Sequence, residues 1–291
     1  MTLNIVQKRG VWFSLSLVII AIGLSLMTYR LFLNQPILNW GLDFTGGSSI
    51  LLEASDSPFA TPDTAQVQAI LVDAGITQAS TVQLTAAQHL IIKTSLLSAA
   101  DREALITRLN TWRPVIILEA DTIGPSISRT LKRQSLLMTA IVVGVLLLYI
   151  TWRFQWRYSI AAILALVHDA GIIISAAAIT GLEINTGFIA ALLMILGYSL
   201  NDTIVIIDRV RDLQSQPDSL VDSVNQAIVG TFRRSLYTSL TTAFVIIALL
   251  IWGGESIRDF SWVILIGILS GTYSSNLIAC PMIITLSTDR A

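Results

Sequence analysis

The stretch GFIAALLMILGYSLNDTIVIIDRVRD, residues 187–212, sets a carboxylate inside an otherwise oily run. From Phe188 to Ile207 only Ser199, Asn201, Asp202 and Thr203 depart from apolar, aromatic or glycine character. About 20 residues at a rise of about 1.5 Å suffice to cross the hydrocarbon of a bilayer. An ionised carboxylate at that depth costs at least ~2.5–3.5 kcal/mol on insertion scales. Asp202 is therefore expected to face a bundle interior and to change protonation state readily, which makes this span a candidate proton or ion site.

The whole chain carries the same signature. Its 291 residues are 54% hydrophobic and 13% charged, with a mean hydropathy of +0.72, whereas soluble domains average about 25% charged. A polytopic α-helical membrane protein follows, with membrane lipid as its surroundings. The formal net charge of −1 supplies no basic face, so nucleic acid is not an expected partner. The one thiol, Cys280, lies in an apolar run, has no intramolecular disulfide partner and reads as a small buried side chain.

Apolar runs at Val11–Leu33 and at about 135–152, 159–180, 187–207, 236–252 and 260–286 give six spans. The first is longer than a signal-peptide core and is followed by no small-x-small cleavage pattern, so it reads as an uncleaved anchor. Lys8, Arg9, Arg153, Arg157, Arg209, Arg211, Arg233, Arg234 and Arg290 fall on one side of these spans, against Arg258 in the short opposite loops. That asymmetry puts both termini in the cytoplasm of a cell inner membrane protein. The expected organisation is an N-terminus and first span over 1–34, an extracytoplasmic domain over 35–133, and spans two to six over 134–291. Apolar residues from Leu220 to Phe232 add a cytoplasmic amphipathic segment near 216–232, lying on the inner interface or packed under the bundle.

The outer domain has its own pattern. GSSILLEA (47–54), STVQLTA (80–86), HLIIKTSL (89–96) and RPVIILEAD (113–121) read as strands. TAQVQAILVDAG (64–75) and SAADREALITRLNTW (98–112) read as helices, the second capped by Ser98. This order, strand, helix, strand, strand, helix, strand, is that of an α+β ferredoxin-like sandwich. His89 stands alone, without the partners a metal site needs. Neither a metal nor a cofactor is expected.

No nucleotide-binding loop, zinc motif or hydrolytic triad occurs, so the chain reads as a non-enzyme without catalytic residues, driven by energy supplied elsewhere. A second intramembrane carboxylate, Asp169, follows His168 in LALVHDAGIII, roughly 15 Å from the cytoplasmic end of its span. Neighbours on a helix point about 100° apart, so the pair is open to two roles, an interhelical polar tie or a proton relay. Span five begins with Ser235, Thr238, Ser239, Thr241 and Thr242, hydroxyls that bond their own backbone or hold water near a carboxylate. Asn201, His168, Thr238 and Thr242 are thus candidate supporting polar residues. Gly267, Gly271 and Ser275 have the spacing of a close helix contact.

Four stretches, GLDFTGGSSILLE (41–53), GPSISRTLKRQS (124–135), VHDAG (167–171) and GYSLNDTIVIIDRVRD (197–212), resemble the SecF branch of the SecD/SecF family, within the RND superfamily. The resemblance covers essentially the whole chain. It implies an accessory subunit of the Sec translocon that pairs with SecD and uses the proton-motive force to promote export of unfolded secretory polypeptide. It extends the expected partners to the SecYEG channel and to YajC and YidC. Six spans and one outer domain resemble half of a twelve-span transporter, so a proton-driven half-transporter exporting small molecules or lipids is the alternative, and a passive scaffold a third reading. In the family's motifs the span-four acid matches Asp202, the arginine before span five matches Arg234, and Gly41, Asp43, Gly46 and Gly47 belong to the segment after span one. The glycines also read simply as a turn into the first strand. A proton path through Asp202 and Asp169, biased by Arg234, is what this combination implies.

Single-cysteine variants made after replacing Cys280 test the orientation. Positions within 40–130 should react only with reagent on the outer face, and labelling confined to the cytoplasmic face would overturn the assignment.

Overall fold

Long uninterrupted helices follow from long apolar runs, since a helix satisfies every backbone hydrogen bond within its own segment. In the computed structural model, which describes residues 5–76, 81–85, 87–214 and 219–288, the first such helix is α1 (Arg9–Phe32). The strands and helices that follow are β1 (Gly47–Ala54), α2 (Thr61–Asp73), β2 (Thr81–Leu84), β3 (Leu90–Thr94), α3 (Ala99–Trp112) and β4 (Val115–Ile123). Apart from the short strand Glu183–Ile184, the long elements that follow are helices: α4 (Pro125–Arg153), α5 (Trp156–Thr180), α6 (Thr186–Leu213), α7 (Leu220–Trp252) and α8 (Arg258–Ser274). A π-turn, Ser275–Ala279, carries α8 into α9 (Cys280–Thr288). The chain divides into two compact units, Trp40–Ser135 and Met1–Asn39 with Leu136–Ala291.

In the unit Trp40–Ser135, alternation puts Ile50 and Leu52 of β1 and Leu90 and Ile92 of β3 on one face of the sheet. These four side chains are essentially fully buried with Phe59, with Val67 and Leu71 of α2, and with Leu105 and Leu109 of α3. One helical layer therefore covers one sheet. The strand order is β2-β3-β1-β4, every neighbouring pair antiparallel. Ile50 lies opposite Ile92 on one side and Ala120 on the other, and a bulge separates Leu51 from Leu52 along β4. Ser98 caps α3 by accepting from the Asp101 amide at 3.1 Å. Arg113, at the end of α3, bonds Asp56 at 2.7 Å and Asp63 at 3.2 Å and lies over the Phe59 ring, tying the loop after β1 to the start of β4. That guanidinium, helped by the Ser57 amide, holds the Asp56 carboxyl below its usual range.

Among the described residues six helices are long and apolar enough to cross a membrane. Small residues set how closely they approach. A Cβ on Gly267 would come within 2.6 Å of Ile195, and one on Gly271 within 2.9 Å of the Ser199 Cβ, so α6 and α8 touch where side chains are absent. Below this contact Leu196, Leu200, Ile206, Ile207 and Val210 of α6 pack with Val224, Ala227 and Ile228 of α7 and with Cys280 and Ile283 of α9. Helix α4 differs: Ile150 is fully buried, while Leu136, Leu137, Met138, Ile141, Val145 and Leu148 are at least half exposed.

The segment expected near 216–232 is not a separate interfacial helix where it is described. From Leu220 it is the first third of α7, continuous to Trp252, because Val224, Ala227 and Ile228 find apolar partners under the bundle. Pro217 and Asp218 lie outside the described residues. So do Ser80 and Ala86 of the expected second strand, and Arg290.

The fragment 38–124, holding the whole sandwich core, should melt cooperatively, and Leu52→Ala should lower its stability by about 2–5 kcal/mol in denaturant titrations. Burial first, then repulsion from Glu119 and Asp43, pushes the Asp121 carboxyl up. A raised folded-state value means that this contribution to stability is fully present below the unfolded value of about 3.9 and is lost as pH rises through the folded value. Asp121→Asn should therefore raise the melting temperature of the fragment at neutral pH, with the difference vanishing as pH falls below about 3.9. A pH-independent difference would remove the ionisation argument.

Candidate functional site

A buried carboxylate is tolerated only when its oxygens are satisfied, and the bundle provides this at Asp169. Asp169 sits on α5 with no exposed surface. Ser199 of α6 donates to Oδ2 at 2.5 Å, Ser274 of α8 donates to the same oxygen at 2.7 Å, and Ser270 of α8 donates to Oδ1 at 2.6 Å. The His168 ring nitrogen Nδ1 lies 3.1 Å from Oδ1. Adjacent in sequence, His168 and Asp169 thus meet at one site, because the imidazole folds back toward its neighbour's carboxylate. The His168 ring stacks on Tyr273 at 5.9 Å, and Tyr273 donates to the Trp12 carbonyl of α1 at 2.7 Å. Four spans are held through this cluster.

Asp202 has a different environment. It is 5% exposed, and its Oδ2 has no hydrogen-bond partner among the described residues. Ser235, buried on α7, hydrogen-bonds the Asp202 side chain, and Arg234 is the cation that acts on it. Next to Asp202, Thr203 meets Ser275 at 2.8 Å, and Ser275 in turn donates to the Ser199 carbonyl at 3.1 Å. At the end of the same helix Asp208 pairs with Arg153 at 3.1 Å and Arg211 at 3.6 Å.

The sequence-expected residues therefore divide. Asp202 and Ser235 come together within range of the Arg234 charge, as do His168 and Asp169, but the two carboxylates draw on different partners. Asn201 is exposed. Thr238 is exposed and donates to the carbonyls of Arg234 and Ser235, and Thr242 donates to that of Thr238, so both bond their own helix. Ser239, one turn beyond Ser235, reaches across instead and meets Thr272 of α8 at 2.5 Å. Ser199, Ser270, Ser274 and Asn276 were not singled out by sequence. The i, i+4 spacing of Ser270 and Ser274 on an apolar helix is the signal that pairs them on one face.

In the other unit Asp43 belongs to a helical turn, Leu42–Thr45, that Gly41 precedes. Gly46 and Gly47 follow with φ of +71° and +128°, and a Cβ on Gly47 would lie 2.3 Å from the Thr94 carbonyl oxygen. Only glycine fits the turn into β1. Among the described residues no group of three or more His, Cys, Asp or Glu side chains is placed to hold a metal ion.

Two family models match the chain: protein export membrane protein SecD/SecF, C-terminal, over residues 105–289, and the SecD/SecF GG motif over residues 38–58. Protein translocase subunit SecF of Sebaldella termitidis is 33% identical over 98% of this chain and 92% of its own length. Protein translocase subunit SecDF of Thermus thermophilus is 35% identical over 87% of this chain and 35% of its own. The crystal structure of SecDF from that organism superposes with a TM-score of 0.87 at 30% identity over 98% of this chain, and a SecDF structure in a super-membrane-facing form with a TM-score of 0.66. This chain spans 39% of the length of each of those two structures. It belongs to the SecD/SecF family of protein export membrane proteins.

Proposed function

We propose that the chain is an accessory subunit of the Sec protein translocase that, with SecD, uses the proton-motive force to promote export of unfolded polypeptides. The observation that carries the coupling is Asp202, a buried carboxylate with one oxygen unpartnered among the described residues, within range of the Arg234 charge on α7. Burial and a nearby cation act in opposite senses on such a group, so a small displacement of Arg234 loads or releases a proton. Arg234 is exposed and its stem is long, which leaves it free to move. Asn201, Thr238 and Thr242 frame this side of α6 and α7 as supporting polar residues. Of the two roles open to Asp169, the polar tie has the better support, since three hydroxyls and His168 already satisfy it.

The relatives carry the rest of the reading. SecF and SecD segments are joined in the matched SecDF proteins, which supports SecD as the partner here. SecYEG, and YajC and YidC beyond it, are the further partners of a subunit that acts on polypeptide at the Sec channel. Residues 35–133 are read as a ferredoxin-like extracytoplasmic domain, supported by the strand order β2-β3-β1-β4 with both helices on one face. The gathering of Lys8, Arg9, Arg153, Arg157, Arg209, Arg211, Arg233, Arg234 and Arg290 on one side of the spans favours cytoplasmic termini in the inner membrane. The role is transport without bond-making chemistry.

Asp202→Asn keeps size and hydrogen bonding but cannot ionise. In inverted vesicles it should insert and bind its partner normally while abolishing gradient-dependent export, and Asp202→Glu should retain part of it. Full stimulation by the Asn variant would remove Asp202 from the coupling and move the path to Asp169. Asp169→Leu should instead weaken assembly, because it leaves the buried Ser199 and Ser270 hydroxyls without their acceptor at about 1–3 kcal/mol each, while Ser274 retains the Gly271 carbonyl. Detergent melting curves read that loss directly.

A further inference from the structure

The π-turn Ser275–Ala279 interrupts the last span beside the Asp202 site, and it carries Asn276, 1% exposed. Turns of this kind are frequent at functional sites in helices. The Asn276 Nδ2 donates to the Thr272 carbonyl at 2.8 Å. That bond fixes the amide, because a carbonyl cannot be approached by the other end, and it turns Oδ1 away. Oδ1 is buried without a partner among the described residues, as is Oδ2 of Asp202.

Helix register brings the two into one layer. Helices α6 and α8 run the same way, with Ile195 against Gly267, Ser199 against Gly271 and Thr203 against Ser275. Asp202 is one residue before that last pair and Asn276 one after, a difference of about 3 Å along the axis. Helix α7 runs the opposite way and brings Ser239 to Thr272. One turn back on α7 is Ser235, the partner of Asp202, and one turn forward from Thr272 is Asn276, in the π-turn that follows α8. Asp202, Ser235 and Asn276 are all buried.

An ionised carboxylate oxygen and an amide oxygen in one buried layer cannot satisfy each other, whereas a single water has two O–H groups to give. Resting on the reading of Asp202 as the exchanging acid, we infer that Asn276 positions, against the free oxygen of Asp202, the buried water through which the Asp202 proton passes. Protonated Asp202 donates to this water. On ionisation the water takes that proton and passes its O–H proton not held by Asn276 to a further solvent water, leaving a carboxylate and a water as before. The Asn276 carbonyl holds the other O–H throughout, so the water keeps its orientation in both states. Asn276 is a positioning residue, acting on the acid through the water.

Asn276→Leu matches the shape and removes the amide. In vesicles containing the full chain, gradient-stimulated export should fall about tenfold, the size of one ordinary hydrogen bond. The infrared band of the protonated carboxyl, assigned by its loss in Asp202→Asn, should move to higher wavenumber. Asn276→Thr, which restores an oxygen, should return the band and most of the export. If the Leu variant does not insert, Asn276→Val carries the same comparison. An unshifted band with wild-type stimulation, in a background where Asp202→Asn abolishes export, would overturn the role of Asn276 alone. Full export by Asp202→Asn would overturn the reading beneath it.

Discussion

A carboxylate with no exposed surface, accepting from three serine hydroxyls and an imidazole, is the constraint on which the bundle depends. The hydroxyls come from α6 and α8 while the acid sits on α5, so none of these helices can turn about its axis without orphaning a polar group in a medium that offers no substitute. Apolar contact alone does not fix rotation in a membrane, because lipid tails compete equally well for a leucine surface. Through Tyr273 and the Trp12 carbonyl the same cluster reaches α1. Orientation, more than adhesion, is what the polar centre contributes.

Against that fixed centre the second carboxylate stands out by what it lacks. Both oxygens of Asp169 accept hydrogen bonds, whereas Oδ2 of Asp202 has no partner among the described residues. The contrast is one of hydrogen bonding within a single bundle: losing an acceptor that several groups share disturbs all of them, and losing one with fewer partners disturbs less. Both acids lie near the same pair of helices, and the close α6–α8 contact allows it, since glycines there leave room for serine oxygens between the backbones.

Much of this was legible in the residues. Six spans, a four-strand sandwich with β1 over 47–54, and Asp202 as a buried acid are direct products of period and polarity, which local sequence reports well. The Asp169 cluster was only half visible. His168 and Asp169 announce themselves by charge, but Ser199, Ser270 and Ser274 look like any small residues at a helix contact until three helices are seen to meet. Asn276 was hidden for a related reason: in an apolar C-terminal run, one amide carries no meaning without the register that brings it beside α7. The sequence left the start of α7 open between an interfacial segment and a helix packed under the bundle, because the apolar floor that Val224, Ala227 and Ile228 meet is not visible in local pattern.

The ladder of small residues also restricts how spans four and six can move past each other. With rungs four residues apart, their register changes only in whole steps of about 6 Å. One step one way seats Ile195 against Gly271 and Ser199 against Ser275, where there is little side chain to displace. The opposite step drives Ile195 onto Val263, a fully buried branched side chain. The packing is thus asymmetric: side-chain bulk opposes a change of register in one sense more than in the other.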